Sequence, residues 1–405
     1  LQQFNIHTQI AARVHKILGK EAVEKIKQNP YILADEIDGI TFKVSDNIAK
    51  TLEISKNSEY RICSFIKYTL KLLAYQSGHT YLPKSLLVSH IVDELGITWE
   101  EAESGICSLI SHKDIFLDTV DGVEVCYLMN HLIAELHIAR RICSIVNSDP
   151  KKTMPPDEAQ ELISKISSSE GILLAPEQNE AVLKSVLNGC VIITGGPGTG
   201  KTTTINTIIK IMQHMKLSIS LAAPTGRAAK RMSEVTGLEA KTIHRLLGVI
   251  RNDDELNVTF SKNEENPINK KVIIIDEMSM VDTNLMCALL KAVKMGSYLI
   301  LIGDPDQLPP VGPGNCLNDI IISERFNVVK LNRIFRQAEE SLIVMNAHAI
   351  NRGEMPRLNS RDSDFFFVEK SKSDDVKELI LSFVSERLPK RYEADPLEEI
   401  QVISC

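Results

Sequence analysis

The sequence predicts an α/β protein in which a parallel sheet, covered on both faces by helices, follows a mainly helical N-terminal region. Three observations carry that expectation. From about residue 157 onward, apolar runs of strand length alternate with helical patterns, at Cys190–Thr194, Ser218–Ala223, Lys271–Ile275, Tyr298–Ile302 and Asn327–Leu331. The first run leads into a glycine-rich turn and a further helical pattern, "VIITGGPGTGKTTT". Residues 1–149, by contrast, read as helices with short connections and strand signal only near their end.

Bulk properties set the frame. A chain of 405 residues has room for two or three domains, and 43% hydrophobic with 24% charged residues describes a folded protein rather than a disordered tail. No apolar run approaches membrane-span length and Leu1 begins no secretory pattern, so a cytoplasmic location is expected. The eight cysteines form no CxxC pair and read as reduced core thiols. A net charge of −7 argues against a surface coated in positive charge for nucleic acid, while leaving room for a local basic groove. Leu1 is not an initiator methionine and Cys405 follows directly on the strand-like "EIQVIS", so the chain is expected to begin and stop inside a longer protein.

Taken in order, residues 1–56 contain "YILADEIDGITFKVSDNIAKTL", with apolar residues at helical spacing on either side of Gly39. Two short helices joined by a tight turn are expected, a helix-hairpin-helix whose turn N–H groups can meet a DNA phosphate or serve packing alone. "FNIHTQIAARVHKILG" has a similar rhythm, with Asn5 at the turn of a degenerate copy. Residues 57–149 carry two or three amphipathic helices and then "DIFLDTVDGVEVCYLMN", where Asp121-Gly122 between alternating apolar residues signals a hairpin. That order suggests a winged-helix-like region, suited equally to DNA contact or scaffolding. "NSDPKKTMPPDEAQ" is a polar, proline-bearing linker near residues 147–157. Residues 150–355 form the main α/β domain, and 356–405 the start of a further one.

The glycine-rich turn fits G-x-x-x-x-G-K-[ST] from Gly195 to Thr202, between a strand and a helix. Gly195, Gly196, Gly198 and Gly200 let backbone N–H groups converge on phosphate oxygens, and a helix N-terminus adds partial positive charge. With Pro197, Thr199 and Thr203 they form the expected ATP cradle. Lys201 is placed to bridge the β- and γ-phosphates and Thr202 to ligate Mg²⁺. "KVIIIDEMSM" ends a buried strand with Asp276, suited to hold the metal through water, and Glu277, suited to take a proton from the attacking water. A third strand ends in "GDPDQLPPVGPG", where Gln307 can touch both the γ-phosphate and a nucleic-acid face while Pro309, Pro310 and Pro313 stiffen its loop.

"GGPGTGKTT", "APTGRAAKRM", "TIHRLLG", "DEMSM", "GDPDQLPPVGPG" and "LNRIFRQ" occur in the order of the superfamily 1 helicase motifs. Their wording resembles the RecD-like 5′→3′ DNA helicases, the family of the exodeoxyribonuclease V alpha subunit. The resemblance is strong from about Pro176 to Met355, and the helical N-terminal half resembles the longer stand-alone branch. It implies a RecA-like P-loop fold and several further roles. In "APEQNEAV", Gln178 is expected to hydrogen-bond the adenine edge. "APTGRAAKRM" resembles the segment that grips single-stranded DNA, with Pro224 and Thr225 ending a strand and Arg227, Lys230 and Arg231 on one helix face, suited to backbone phosphates. Thr242 and His244 of "TIHRLLG" are further expected strand contacts. Arg336 matches an arginine finger, Arg333 being a nearby false candidate. Residues 248–261 match the position of a β-hairpin pin that helps split the duplex.

Two departures stand out. Thr41 occupies the place where helix-hairpin-helix patterns usually carry a second glycine. The second RecA-like domain is expected to begin near Phe365, with "FFFVEK" and "EIQVIS", and the family's later motifs are not read, which predicts poor activity for this chain alone. The resulting expectation is an ATP- and Mg²⁺-dependent 5′→3′ DNA helicase of repair or recombination, acting on single-stranded and 5′-tailed duplex DNA. A P-loop ATP switch or kinase that unwinds nothing, and a non-catalytic DNA-binding or partner-docking fragment, remain the alternatives. No nuclease carboxylate cluster is visible.

Overall fold

A computed structural model describes residues 8–37, 39–148, 154–250, 259–335, 339–358 and 364–403. The chain divides into two compact units, Leu1–Arg333 and Ile334–Cys405.

The first unit opens with helices Thr8–Leu18 and Ala22–Gln28, which part at Gly19, and Ile32–Glu36 and Phe42–Thr51, which flank Gly39. Gly39 has φ +90°, a conformation that a Cβ would strain, so the glycine lets the chain reverse between the two helices. Val14, Leu18, Ile26, Leu33, Ile37, Ile40 and Ile48 share a small core. Asp46 ties this region to the next: its Oδ1 accepts from Tyr31 Oη and Arg61 Nε, both at 2.8 Å, and its Oδ2 pairs with Lys50 at 3.0 Å. Burial alone would raise the Asp46 pKa, but the hydrogen bonds from Arg61, Lys50 and Tyr31 outweigh it and hold the carboxyl below its usual range. Asn5 and Asp38, at the two expected turns, lie outside the described residues.

Helix Glu59–Ser77, strand β1 (Tyr81–Pro83), helices Lys84–Leu95 and Trp99–Ser111, and strands β2 (Ile115–Val120) and β3 (Val123–Leu128) follow in winged-helix order. The sheet runs β1-β3-β2, antiparallel throughout. Asp121 and Gly122 both take positive φ, +50° and +79°, as the two-residue hairpin turn requires. Helix Met129–Val146 then crosses to the larger sheet. Its Ala134, Ile138, Ile142 and Ile145 share one core with Ile273, Ile275, Leu289 and Leu299. Arg141 fastens it further, donating through Nε to Leu290 O at 3.1 Å and through Nη2 to Val293 O at 2.8 Å. By packing, this helix belongs to the α/β layer that follows it in sequence.

Strands β4 (Cys190–Gly195), β5 (Ile219–Ala223), β6 (Ala240–Thr242), a short pair β7 (Val249–Ile250) and β8 (Thr259–Phe260), then β9 (Val272–Ile275), β10 (Tyr298–Gly303) and β11 (Val328–Leu331) complete the unit. The main sheet has six strands in the order β11-β4-β10-β9-β5-β6, all parallel. Alternate residues of the central strands feed two cores: Ile192, Ile273 and Leu299 on one face, Val191, Ile274 and Ile300 on the other. Burial on both faces is why these strands are apolar almost without interruption. β7 and β8 pair antiparallel, Val249 opposite Phe260, at the root of the expected pin; residues 251–258, which would form its tip, lie outside the described residues.

The second unit contains helices Leu342–Asn351, Ser373–Ser382 and Leu388–Tyr392, with a π-helical turn at Phe383–Arg387. "FFFVEK" and the described part of "EIQVIS" are strand-like in sequence, and neither forms a strand. A strand satisfies its backbone only against a neighbour, and the described residues of this unit include no strand. Among the described residues, no helix is long and apolar enough to cross a membrane.

Candidate nucleotide site and nucleic-acid face

The glycine-rich turn joins the end of β4 to helix Lys201–His214. Gly198 and Gly200 take φ +76° and +77°, which turns successive N–H groups toward one side of the loop. Thr199 is buried, and its Oγ1 donates to Gly196 O at 2.8 Å, bracing the curve from within. Gly195 is required for a different reason. A Cβ there would come within 2.6 Å of Thr199 Oγ1 and 2.9 Å of Leu331 O on the adjoining strand. Lys201 Nζ donates to the carbonyl oxygens of Gly195 and Gly196, folded over the concavity where phosphates would lie. Pro197 and Thr202 are exposed and Thr203 half-buried in the first turn.

Gln178, expected at the adenine edge, is only 2% exposed. Its Oε1 accepts from Ala175 N–H at 3.0 Å, closing the start of helix Pro176–Leu187, and its Nε2 donates to Gly200 O at 3.2 Å. In this structure the carboxamide is a strut between that helix and the phosphate loop.

Asp276 and Glu277 follow β9, which is one strand removed from β4 across β10, so the loop and the two acids emerge at the same sheet edge. Glu277 takes φ +56°, and its N–H donates to Asp276 Oδ1 at 2.9 Å. Burial raises both pKa values. For Glu277 the charges of Asp276 and Asp304 add to the rise, while Lys201 and Arg231 oppose it for both acids. Asp304, a residue with no role predicted from the sequence, is therefore part of this electrostatic cluster. It is 2% exposed, and its Oδ1 accepts from Asp306 N–H while its carbonyl accepts from Gln307 N–H, each at 3.1 Å. Gln307 is exposed at the turn so formed.

Thr202 and Asp276 offer hard oxygen donors of the kind Mg²⁺ takes. The described residues contain no group of three or more His, Cys, Asp or Glu side chains arranged to hold a metal. That donor set fits an ion held by few protein ligands and completed by nucleotide phosphates, the usual Mg²⁺ arrangement.

The expected DNA face lies along the same edge. β5 and β6 are parallel neighbours, so Pro224-Thr225 and Thr242 leave adjacent strand ends. Thr225 caps helix Gly226–Thr236, accepting from Ala228 N–H at 3.2 Å, and Thr242 caps helix Ile243–Leu247, accepting from Arg245 N–H at 3.2 Å. Arg227, Lys230 and Arg231 are exposed along the first of these helices. Lys230 reaches Glu234 only at 3.9 Å. Arg231, expected purely as a phosphate contact, is also close enough to act on both half-buried acids. His244 is exposed, its ring 5.9 Å from that of Phe260 at the root of the β7–β8 pair. Arg336 lies outside the described residues.

A six-stranded parallel sheet with this loop after one strand and paired acids after another defines a P-loop nucleotide-binding domain. A family model described as an AAA domain matches residues 178–313, and one described as the ATP-dependent RecD2 DNA helicase HHH domain matches residues 1–81. The ATP-dependent RecD2 DNA helicase of Deinococcus radiodurans is 30% identical over 365 residues, covering 88% of this chain and 49% of that protein. The RecBCD enzyme subunit RecD of Mycolicibacterium smegmatis is 31% identical over 221 residues, covering 49% of this chain and 38% of that one. The chain thus spans half or less of the length of these relatives. A crystal structure of Pif1 helicase from Candida albicans aligns with TM-score 0.36 and 21% identity over 55% of this chain and 56% of that one. The chain is RecD-like, and its first residues match the helix-hairpin-helix domain of the RecD2 branch.

Proposed function

We propose that this chain is the nucleotide-binding and strand-engaging part of an ATP-dependent, RecD-type 5′→3′ DNA helicase that serves repair or recombination. The observation that carries the reading is the single sheet edge: phosphate loop, paired acids, Gln307 turn and basic helix all leave the carboxyl ends of β4, β9, β10 and β5. The match to RecD2 over most of the chain supports it.

In this reading Lys201 exchanges its two loop carbonyls for phosphate oxygens when nucleotide enters, and the N–H groups of Gly196 and of Gly198 to Thr203 enclose the remainder. Thr202 and Asp276 would hold Mg²⁺, which would supply positive charge against the phosphates. Glu277 takes the proton of the attacking water; its raised pKa brings it nearer the working pH, which favours a general base. Gln307 reports the γ-phosphate to the strand, and Arg336 supplies positive charge that can contribute roughly 10³ to 10⁵ in rate. Arg227 and Lys230 hold strand phosphates, with Pro224, Thr225, Thr242 and His244 beside them, and the β7–β8 hairpin meets the duplex. Strand displacement by the full-length protein on 5′-tailed and 3′-tailed duplexes tests the polarity. Unwinding confined to 5′-tailed DNA is expected, and equal unwinding of both would refute it.

A further inference from the structure

The loop that carries Gln307 does not stand on the P-loop domain alone. After Val311 it passes between two walls. One wall is the start of helix Thr283–Ala292, where Asp282 caps the helix by accepting Leu285 N–H at 2.8 Å and Thr283 N–H donates to Pro313 O at 2.9 Å. The other is the segment that ends helix Glu59–Ser77 in the winged-helix-like region: Gly314 N–H donates to Gly78 O at 2.8 Å. The fit leaves no room for side chains. A Cβ on Gly312 would lie 2.2 Å from Asp282 Oδ2, and one on Gly314 would lie 2.0 Å from Thr283 Oγ1 and 3.4 Å from Thr80 Cγ2. Buried His131, whose charged form the Thr80 backbone and Asp282 both favour against the opposing effect of burial, belongs to the same neighbourhood.

We propose that the Gly78–Thr80 segment positions the Gln307 loop, so that the winged-helix-like region sets the rate of nucleotide turnover without touching nucleotide. The inference rests on the proposed role of Gln307. Its physical basis is that the close-fitting glycine loop has a fixed wall on the motor side and, on the other, a wall supplied by a region some 230 residues earlier in the chain. Helix Met129–Val146, whose residues share the motor's core and whose Arg141 bonds Leu290 and Val293, holds that region against the motor. The loop is thus clamped between parts that keep their spacing. A displacement of about 1 Å at a positioning group can cost up to about a hundredfold in rate.

Gly78→Val tests the clamp. Gly78 caps its helix at φ +72°, so a β-branched residue must shift the carbonyl that Gly314 holds. Gly96→Val is the control: Gly96 caps helix Lys84–Leu95 of the same region at φ +66°, with nothing within 4 Å of a Cβ. DNA-stimulated ATP turnover is measured in the full-length protein, with thermal melts to confirm folding. Gly78→Val should lower kcat by about tenfold to a hundredfold with KM for ATP nearly unchanged, and Gly96→Val should leave both as in the parent. The double variant Gly78→Val/Gln307→Ala should turn over no more slowly than Gln307→Ala alone, because both act through one loop. Equal behaviour of Gly78→Val and Gly96→Val, or additive losses in the double variant, would overturn the inference. Turnover that survives Lys201→Ala would instead overturn the proposed function, and this inference with it.

Discussion

Gly195→Ala adds one methyl group at the most crowded point of the phosphate loop. Its backbone is not in the left-handed region, so the effect is one of space. The new Cβ would sit 2.6 Å from Thr199 Oγ1, 2.9 Å from Leu331 O and 3.0 Å from Leu331 Cβ. Leu331 cannot retreat freely, since β11 pairs with β4 in a register that sets Leu331 opposite Gly195. The yielding group is therefore Thr199, and its 2.8 Å bond to Gly196 O is lost. Overpacking costs about 1–3 kcal/mol and the lost hydrogen bond about 1 kcal/mol, so roughly 2–4 kcal/mol is expected in total. If half of that is expressed in the loop's binding geometry, ATP affinity falls by roughly tenfold. Fluorescent-nucleotide titration and urea denaturation of the variant measure the two parts. Gly226→Ala, where a Cβ meets nothing within 4 Å, is the control and should change neither ATP affinity nor stability adversely. Parental affinity and parental stability in Gly195→Ala would refute the argument from crowding.

Glu277→Gln should cut ATP turnover by about 10²- to 10⁴-fold by removing the base, measured by steady-state phosphate release. It should also stabilise the fold at neutral pH. Partial burial and the neighbouring Asp276 raise the Glu277 pKa above its unfolded value, so the half-buried charge destabilises the native state above the folded pKa and the penalty vanishes below the unfolded one. The stabilising effect of Gln should therefore shrink as denaturation is repeated from neutral toward acid pH. Replacing Arg227 and Lys230 by Ala should weaken single-strand binding and flatten its salt dependence, by about 0.7 in log–log slope for each phosphate no longer neutralised, as read by fluorescence anisotropy across a salt series.

The sequence made the sheet legible because its central strands are buried on both faces and need apolar residues throughout. β6 is not legible in the same way: three residues, Ala240 to Thr242, include exposed Lys241 and pair on one side only, with β5. β1 is equally faint, being three residues that end in a proline. The phosphate loop was legible because its glycines and lysine lie side by side in the chain. Asp304 and the second aspect of Arg231 were not, since their proximity to Glu277 depends on strand order rather than on local spacing. Gln178 shows the converse limit. Its place at the start of a helix could be read, but the carbonyl of Gly200 to which its amide donates is 22 residues away. The strand-like runs at 365–370 and 399–403 form no strand, and the described residues of their unit offer no partner strand.

The measurement that bears most directly on the whole account is Lys201→Ala in the full-length protein, assayed in parallel for ATP-driven unwinding of a 5′-tailed duplex and for nucleotide-free binding to single-stranded DNA. Lys201 Nζ faces the loop carbonyls of Gly195 and Gly196, while the exposed basic face lies on a separate helix, Gly226–Thr236. Unwinding should be abolished with DNA affinity within about twofold of the parent, a difference under roughly 0.5 kcal/mol. Unwinding that persists, or DNA binding that falls in step with it in a folded variant, would contradict the account.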